Sequence, residues 1–249
     1  KATLNGDPVA LKELKVHEGD PSSKKHFQEF QTEAYMMSLL DHPNIVKFYG
    51  VMLNPPRMVL QFVDGQDLFQ FLHPIDPETD EVGSLAQEDF PWSQRLTIAF
   101  HIAQGLHYLQ SITPPVVHRD FRSPNIFVTK DNHALIGDFG LARVVTGTIG
   151  GALRTWQWLA PEIFNSTDEN YDQRTDIYSF GIIMWELASI QIPFDAERKT
   201  PGGSKVQDMD IKKAIVSEHL RPSVPPKTPL EFGDLIHRCW AGDPAQRPT

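Results

Sequence analysis

The chain of 249 residues is 40% hydrophobic and 22% charged, which is typical of a globular protein and excludes a disordered or fibrous one. Its formal net charge of -9 argues against nucleic acid as a partner, because proteins that bind phosphate backbones usually present a basic surface. No apolar run approaches the ~20 residues that span a bilayer, and the single cysteine, Cys239, excludes an internal disulfide framework and is typical of a reducing, cytoplasmic compartment.

The N-terminal part of the chain combines strand and helix signals. A turn at residues 5–7, followed by alternation over residues 8–14, predicts the two strands of a hairpin. Apolar residues at helical spacing predict an amphipathic helix over residues 24–41. Two short strands, at residues 46–49 and 57–62, are predicted on either side of an Asn-Pro-Pro turn.

Beyond Gly65 the pattern is mainly helical. A long helix is predicted over residues 93–111, and the almost wholly apolar stretch 177–190 predicts a second helix at the centre of the core. Residues 74–91 are acidic and proline-rich, which indicates a surface loop. The predicted fold class is therefore α+β, with a small β-rich part before a larger helical part. The buried stripe predicted for the long helix consists of Leu96, Ala99, Ala103, Leu106 and Leu109.

Several short motifs follow one another in a diagnostic order. His118-Arg-Asp120 is followed five residues later by Asn125, and then by Asp138-Phe-Gly140. Each motif alone could be a turn with a capping aspartate. Together with Val9-Ala-Leu-Lys12 upstream and Ala160-Pro-Glu162 downstream, they match the protein-kinase signature. The chain resembles a protein kinase over essentially its whole length.

The resemblance implies a bilobal kinase fold. Residues 1–63 would form the N-terminal lobe and hinge, and residues 64–249 the C-terminal lobe. The glycine-rich phosphate loop of the family is missing upstream of Lys1, and the family has a further helix after Thr249. We therefore interpret residues 1–249 as a fragment of a kinase domain and expect it to bind ATP weakly and turn over slowly by itself. Equal nucleotide affinity in an N-terminally extended chain would contradict this expectation.

Phosphoryl transfer requires two polyanions to be held in line and their charge to be neutralised. The resemblance implies that Lys12 meets the α- and β-phosphates of ATP and that Glu33 holds Lys12, although Glu33 could also be an ordinary solvated helix residue. Asn125 and Asp138 offer the oxygen ligands that Mg²⁺ prefers. Asp120 would accept the proton of the substrate hydroxyl.

Adenine requires an apolar slot with backbone hydrogen-bonding groups along one edge. The resemblance implies a hinge at residues 61–63 whose backbone makes the polar contacts, a gate at the back of the pocket, and two side chains that sandwich the ring. The residues assigned to this pocket are Ala10, Leu60, Gln61, Val63 and Phe127.

Further positions are assigned structural roles by the resemblance. His118 would pack in the core with Met37, Phe48 and Phe139 instead of acting as a base. Asp176 would hydrogen-bond the backbone of the turn that contains His118, with a helix N-cap as the simpler alternative. The ion pair that braces the substrate platform would join Glu162 and Arg247.

The phosphate acceptor is less directly indicated. Arg122, two residues after Asp120, also occurs in some tyrosine kinases, whereas Thr155 is typical of serine/threonine kinases. This combination resembles the tyrosine-kinase-like group, whose members mostly phosphorylate serine and threonine. Within that group the chain is most similar to the Roco kinases, in which a Ras-like GTPase and a COR module accompany the kinase; another member of the group is the alternative. The stretches that carry the similarity are residues 27–31, 42–47, 54–59 and 114–127.

The expected function is ATP-dependent phosphorylation of serine or threonine in protein substrates, with a tyrosine or dual-specificity acceptor as one alternative. A second alternative is a pseudokinase scaffold, which the presence of Lys12, Asp120, Asn125 and Asp138 disfavours and the missing phosphate loop keeps open. A small-molecule phosphotransferase is disfavoured by the intact Ala160-Pro-Glu162 motif.

Arg119 predicts a switch that is operated by phosphorylation. An arginine beside the catalytic aspartate can bind a phosphate on the activation segment and order it. Thr146 and Thr148 are the candidate phosphate acceptors, with Arg143 as a second phosphate ligand. The alternative is that the two threonines are ordinary loop residues. Replacing both threonines by alanine should reduce turnover several-fold, and full activity of the double variant would contradict the hypothesis.

Overall fold

The N-terminal part of the chain folds into an antiparallel sheet and one helix. The computed structural model describes residues 1–14, 23–76, 78–79, 81–140, 142–144, 156–165, 172–198 and 206–249. The sheet has the strand order β1-β2-β4-β3, with register pairs such as Lys12↔Met58. Its strands are β1 (Ala2–Leu4), β2 (Asp7–Glu13), β3 (Phe48–Leu53) and β4 (Pro56–Gln61).

The predicted first hairpin is confirmed, and its turn has a clear stereochemical basis. Asn5 and Gly6 both have positive φ angles, 52° and 95°. A two-residue turn with positive φ at both positions matches the twist of the strands that it joins, and Asn-Gly is a favoured sequence for it. The turn therefore sets the register of β1 against β2, from Leu4↔Asp7 to Ala2↔Val9, and Lys12 lies further along β2, opposite Met58 of β4.

Two predicted elements in this part had wrong boundaries. Helix α1 (Ser23–Ser38) ends three residues earlier than predicted, because the N–H groups of Leu39 and Leu40 donate to the carbonyls of Met36 and Met37, three residues back, and tighten the last turn. Strand β3 begins later and continues through Leu53, since its pairing with β4 extends along exposed residues to Leu53↔Pro56. Pairing with a neighbouring strand, and not hydrophobic alternation, determines where β3 ends.

The remainder of the described chain is mainly helical, with short strands around the motif residues. Strands β5 (Gly65–Asp67), β7 (Ile126–Thr129) and β8 (Ala134–Ile136) form one small sheet, and β6 (Val116–Val117) pairs with β9 (Arg143–Val144). The helices are α2 (Leu68–Leu72), α3 (Trp92–Ser111), α4 (Pro161–Asn165), α5 (Gln173–Ser189), α6 (Asp208–Ser217) and α7 (Leu230–Cys239). None of these helices is both long and apolar enough to cross a membrane.

Helix α5 lies at the centre of the core, as its sequence predicts. Every residue from Thr175 to Ser189 is buried. Gly181 allows α7 to approach closely, because a Cβ at this position would lie 3.0 Å from the Cβ of Cys239 and from the backbone nitrogen of Trp240. A helix that is enclosed over this length provides a fixed support for the loops that are hydrogen-bonded to it.

The predicted stripe of α3 was partly wrong. Ala99, Leu106 and Leu109 are buried, but Leu96 is 46% exposed and its neighbour Arg95 is buried at 2% exposure. Arginine has five N–H donors, and each donor of Arg95 has an acceptor. Nε donates to Phe90 O at 2.7 Å, Nη1 to the carbonyls of Leu187 and Ala188, and Nη2 to the carbonyl and side-chain oxygens of Gln87.

The segment of residues 74–91 is only partly the surface loop that the sequence predicts. The first half of this segment is exposed, but its second half contacts the C-terminal end of α5. Ser84 Oγ donates to Ile190 O at 2.8 Å, Gln87 Nε2 donates to Ser189 O at 3.0 Å, and Phe90 is fully buried. Arg95 therefore joins this segment to the C-terminal end of α5, where a positive charge is favourable.

Arg95→Lys should lower the free energy of unfolding by about 2–4 kcal/mol, because one ammonium group cannot reach acceptors arranged around a planar guanidinium. Thermal unfolding would measure the effect, and the exposed Arg238→Lys is a matched control that should leave Tm nearly unchanged. Equal Tm values for the two variants would contradict the assigned role of Arg95.

Candidate active site

Three segments that are distant in sequence meet at Lys12, one of which carries Lys12 itself. The Nζ atom of Lys12, on β2, lies 2.6 Å from Glu33 Oε1, on α1, and 2.8 Å from Asp138 Oδ1, which follows β8. The predicted pairing of Lys12 with Glu33 is present. Glu33 is buried at 6% exposure, so it is not an ordinary solvated helix glutamate.

The charges of this cluster follow from its contacts. Burial by itself lowers the pKa of Lys12, but the carboxylates of Glu33 and Asp138 outweigh it and raise this pKa above its usual value. Burial by itself raises the pKa of Asp138, but the Lys12 charge outweighs it and lowers this pKa. For Glu33, burial is only partly offset by Lys12, and the pKa stays raised. At neutral pH the cluster thus has an ammonium group beside an ionised Asp138.

Asp120 is held by two neighbours from its own loop. Asn125 Nδ2 donates to the backbone oxygen of Asp120 at 2.7 Å and to its Oδ2 at 2.8 Å. Arg122 Nε lies 3.0 Å from Asp120 Oδ1 and 3.1 Å from Oδ2. Asn125 ends the short 3-10 turn Ser123–Asn125, which leads directly into β7. The carboxylate of Asp120 therefore has a defined orientation within the turn between β6 and β7.

Asp176 anchors the beginning of this loop to the central helix. Its carboxylate accepts hydrogen bonds from His118 N at 2.7 Å and from Arg119 N at 3.1 Å. The N-cap of α5 is Asp172, whose side chain accepts from Arg174 N, so the simpler N-cap alternative for Asp176 was wrong. Burial raises the pKa of Asp176 to about 6.

His118 lies in the core, where the resemblance places it. Its ring centroid is 4.8 Å from that of Phe139 and 5.5 Å from that of Phe121. Its Nε2 lies 3.0 Å from the carbonyl oxygen of Gly137. Met37 belongs to the large hydrophobic core that also contains Phe121 and Phe139, and Phe48 packs against that core. With its ring enclosed in this way, His118 is not accessible to a substrate.

The residues assigned to the adenine pocket come from two different sheets and from the segment after β4. Ala10 and Leu60 face each other across β2 and β4, and Phe127 lies on β7. Gly137 gives the Phe127 ring its space, because a Cβ at that position would lie 2.7 Å from the ring. The backbone N–H of Gln61 donates to Lys47 O at 2.8 Å, so this group is not available to a ligand. Val63 follows two residues after it, outside the strand.

The predicted pair of Glu162 and Arg247 is bidentate. Arg247 Nη1 lies 2.6 Å from Glu162 Oε1, and Nη2 donates to Oε2 at 2.8 Å. The side chain of Arg247 is fully buried, and it also donates to the carbonyls of Ala241 and Arg174. This pair joins α4 to the C-terminal residues of the chain.

Other predicted residues are beyond what the structure describes. Thr146, Thr148 and Thr155 lie outside the described residues, and so does the side chain of Arg143. Within the described part of the chain, no group of three or more His, Cys, Asp or Glu residues could hold a metal ion. The predicted magnesium ligands are instead one amide and one carboxylate, Asn125 and Asp138.

Sequence reasoning missed Glu186, which is fully buried on α5. Ser123 Oγ donates to Glu186 Oε1 at 2.8 Å, and Trp158 Nε1 donates to Oε2 at 2.6 Å. The sequence signal for a buried polar role of Glu186 is that it is the only acidic residue in the mainly apolar segment 177–190. It also follows Asp176 by ten positions, which places the two side chains within about 80° of each other around the helix.

Burial raises the pKa of Glu186 to about 8 from a usual 4.5. Between these two pH values the native state keeps a proton that the unfolded chain has lost. The free energy of unfolding should therefore fall as the pH rises through this range. Burial also lowers the pKa of His73 to about 4 from 6.5, which costs stability only below pH 6.5. Between pH 6.5 and 8 we therefore expect the unfolding free energy to fall by up to about 1.4 kcal/mol per pH unit. Tm measured between pH 6.5 and 8 should fall in the wild type and should fall much less in Glu186→Gln. Parallel curves of Tm against pH for the two proteins would contradict the raised pKa of Glu186.

The comparisons with known proteins agree with this geometry. A family model described as protein tyrosine and serine/threonine kinase matches residues 1–249. The chain is 39% identical over 228 residues to the probable serine/threonine-protein kinase qkgA of Dictyostelium discoideum, covering 90% of this chain and 14% of that protein. It is 38% identical over 246 residues to the probable serine/threonine-protein kinase roco11 of the same organism, covering 96% and 15%.

A plant protein extends the similarity beyond the Roco proteins. The chain is 32% identical over 254 residues to serine/threonine-protein kinase CTR1 of Arabidopsis thaliana, covering 100% of this chain and 28% of that protein. The chain thus spans less than a third of the length of each of these relatives. The predicted resemblance to Roco and tyrosine-kinase-like kinases is confirmed. The chain belongs to the protein tyrosine and serine/threonine kinase family.

Proposed function

We propose that this chain is the catalytic part of an ATP-dependent protein kinase that phosphorylates serine and threonine hydroxyls of protein substrates in intracellular signalling. The observation that carries the proposal is the placement of Lys12 between Glu33 and Asp138. A fixed cation next to an ionised carboxylate, together with a separately held carboxylate at Asp120, supplies the groups that phosphoryl transfer requires.

The reaction divides among these residues as follows. Lys12 binds the α- and β-phosphates of the substrate ATP and keeps them oriented. The hydroxyl oxygen of the acceptor attacks the γ-phosphorus, the bond between this phosphorus and the β–γ bridging oxygen breaks, and ADP leaves. Asp120 accepts the hydroxyl proton, and the contacts from Arg122 and Asn125 hold its carboxylate in position for this.

Asn125 and Asp138 would hold Mg²⁺. Oxygen ligands are what this ion prefers, and the low pKa of Asp138 keeps its carboxylate ionised. Asn125 uses its amide nitrogen to hold Asp120, which leaves Oδ1 as the amide atom for a cation. When bound, the ion supplies positive charge that neutralises the phosphates.

The acceptor preference is supported by the relatives. The names of qkgA, roco11 and CTR1 each describe a serine/threonine-protein kinase. A tyrosine or dual-specificity acceptor is the second candidate, because some tyrosine kinases also have an arginine at the position of Arg122. A scaffold without catalysis is less well supported, since Lys12, Glu33 and Asp138 form a complete ionic cluster.

Incubation with Mg²⁺-ATP labelled at the γ-phosphate and a pool of Ser, Thr and Tyr peptides tests the proposal. We expect phosphoserine and phosphothreonine, both abolished in Lys12→Met. The matched control is Lys130→Met, an exposed lysine that pairs with Asp64 at 2.8 Å and should leave transfer unchanged. Phosphotyrosine alone would replace the serine/threonine proposal with the second candidate. Nucleotide binding without any transfer would contradict both.

We further propose that the complete cytoplasmic protein joins this kinase to a Ras-like GTPase and COR module. The support is the similarity to roco11, of which the aligned part is only 15%. GTP binding by the full-length protein, absent from residues 1–249 alone, would be the expected result. A full-length protein that binds no guanine nucleotide would contradict it.

A further inference from the structure

The central helix α5 presents polar side chains to two different segments of the site. Asp176, Ser179 and Glu186 are all buried on this helix. Offsets of three and ten residues correspond to rotations that place them within about 80° of one another. Asp176 binds the beginning of the loop that contains Asp120, as described above. The partners of Ser179 and Glu186 extend this pattern to a second segment.

Glu186 contacts both segments with one carboxyl group. Ser123, its partner at 2.8 Å, lies between Asp120 and Asn125 in sequence and is fully buried. Trp158, its partner at 2.6 Å, ends the short turn Trp156–Trp158, which leads into α4. Glu186 therefore links these two segments directly through the two oxygens of one buried side chain.

Trp158 is attached to α5 at a second point. Ser179 Oγ donates to the backbone oxygen of Trp158 at 2.7 Å. Phe69 packs edge-on against its indole at a centroid distance of 6.4 Å. Since both contacts restrain Trp158, a change at Ser123 would alter the catalytic loop, while the Trp158 segment would stay in place.

We propose that Glu186 is a positioning residue for phosphoryl transfer: it holds the Asp120–Asn125 loop in register with the Trp158 segment, which the resemblance assigns to the substrate platform. This inference rests on the proposed kinase function. In-line transfer depends on placement, and a misplacement of about 1 Å can cost about a hundredfold in rate. Glu186 acts through Ser123 and touches neither ATP nor substrate in this scheme.

The protonation of Glu186 determines which substitution should preserve its role. Its burial keeps the pKa near 8, so the carboxyl is largely protonated at neutral pH. The Nε2 atom of buried His73 lies 4.0 Å from Oε1, and among the described residues this nitrogen has no hydrogen-bond partner. A glutamine resembles the protonated acid: its oxygen can accept from Trp158 and its amide group can donate to Ser123 Oγ.

Steady-state kinetics with the Ser/Thr peptide pool provide the first test. We expect Ser123→Ala to lower kcat by about tenfold with an unchanged KM for ATP, and Glu186→Leu to lower it further. Glu186→Gln should stay within about threefold of the wild type. The matched control is Gln87→Ala, which loses partly buried hydrogen bonds to Ser189 at the end of α5 and from Arg95, and should lower Tm but not kcat.

Hydrogen exchange provides a second test that needs no catalytic activity. Glu186→Leu should increase amide exchange both at residues 119–126 and at residues 156–159. Ser123→Ala should do so only in the first segment, and Trp158→Phe only in the second. If Glu186→Leu does not fold, the other variants still decide the outcome.

The two tests separate failure of this inference from failure of the proposed function. A wild type that transfers no phosphate but shows the segment-specific exchange would contradict the kinase function and support the structural tie. An active wild type with full kcat in Ser123→Ala would overturn the positioning role. So would a Glu186→Gln variant as slow as Glu186→Leu, or exchange that rises uniformly in all variants.

Discussion

Asp120→Asn is expected to lower kcat by about 10²–10⁴-fold, because an amide cannot accept the proton of the attacking hydroxyl. Asn125 and Arg122 would still have an oxygen to which they can donate, so the loop should keep its conformation. Nucleotide affinity should stay close to that of the wild type, since Lys12 is the proposed phosphate contact and Asp138, a proposed Mg²⁺ ligand, is also unchanged. Initial rates at saturating ATP, together with ATP titrations, measure the two quantities separately.

The matched control for this variant is Asp131→Asn. Asp131 is an exposed aspartate between β7 and β8 in the same region of the chain, and the substitution makes the same change of charge. It should leave kcat unchanged. An Asp120→Asn enzyme that retained more than about a tenth of wild-type kcat would show that Asp120 does not have the proposed role.

Glu162→Ala is expected to be the most destabilising of the single substitutions considered, at about 3–5 kcal/mol. The reason is the stranded partner: Arg247 has a fully buried side chain and would lose both charged hydrogen bonds. It would keep the carbonyls of Ala241 and Arg174, which carry no charge to balance it. For a chain of this size, the loss corresponds to a decrease in Tm of roughly 10 °C, measurable by thermal unfolding.

An exposed ion pair provides the control for this prediction. Asp64 and Lys130 lie 2.8 Å apart but have side-chain exposures of 69% and 76%. Solvent-exposed pairs contribute little to stability, so Asp64→Ala should leave Tm nearly unchanged. If the two alanine variants had the same Tm, the pair of Glu162 and Arg247 would not brace the fold as proposed.

Local sequence determined much of this protein. The Asn5-Gly6 turn, the apolar run within Thr175–Ser189 and the order of the short motifs were each readable without a structure, because turns, helices and motifs depend on neighbours in the chain. The motifs also identified Lys12, Glu33 and Asp138 as one site through the family resemblance.

Only the tertiary structure decided which side chains meet. Lys12 and Asp138 are 126 positions apart, and their 2.8 Å contact exists because separate elements pack together. The same holds for features that the pattern misjudged: α3 buries Arg95 and exposes Leu96, since carbonyls from other segments satisfy the guanidinium. Glu186 accepts hydrogen bonds from Ser123 and Trp158 on its two oxygens, and neither partner is indicated by the apolar pattern of its own helix. Hydrophobic patterning encodes which face is buried, but the partners of a buried polar group come from distant segments and are set by packing.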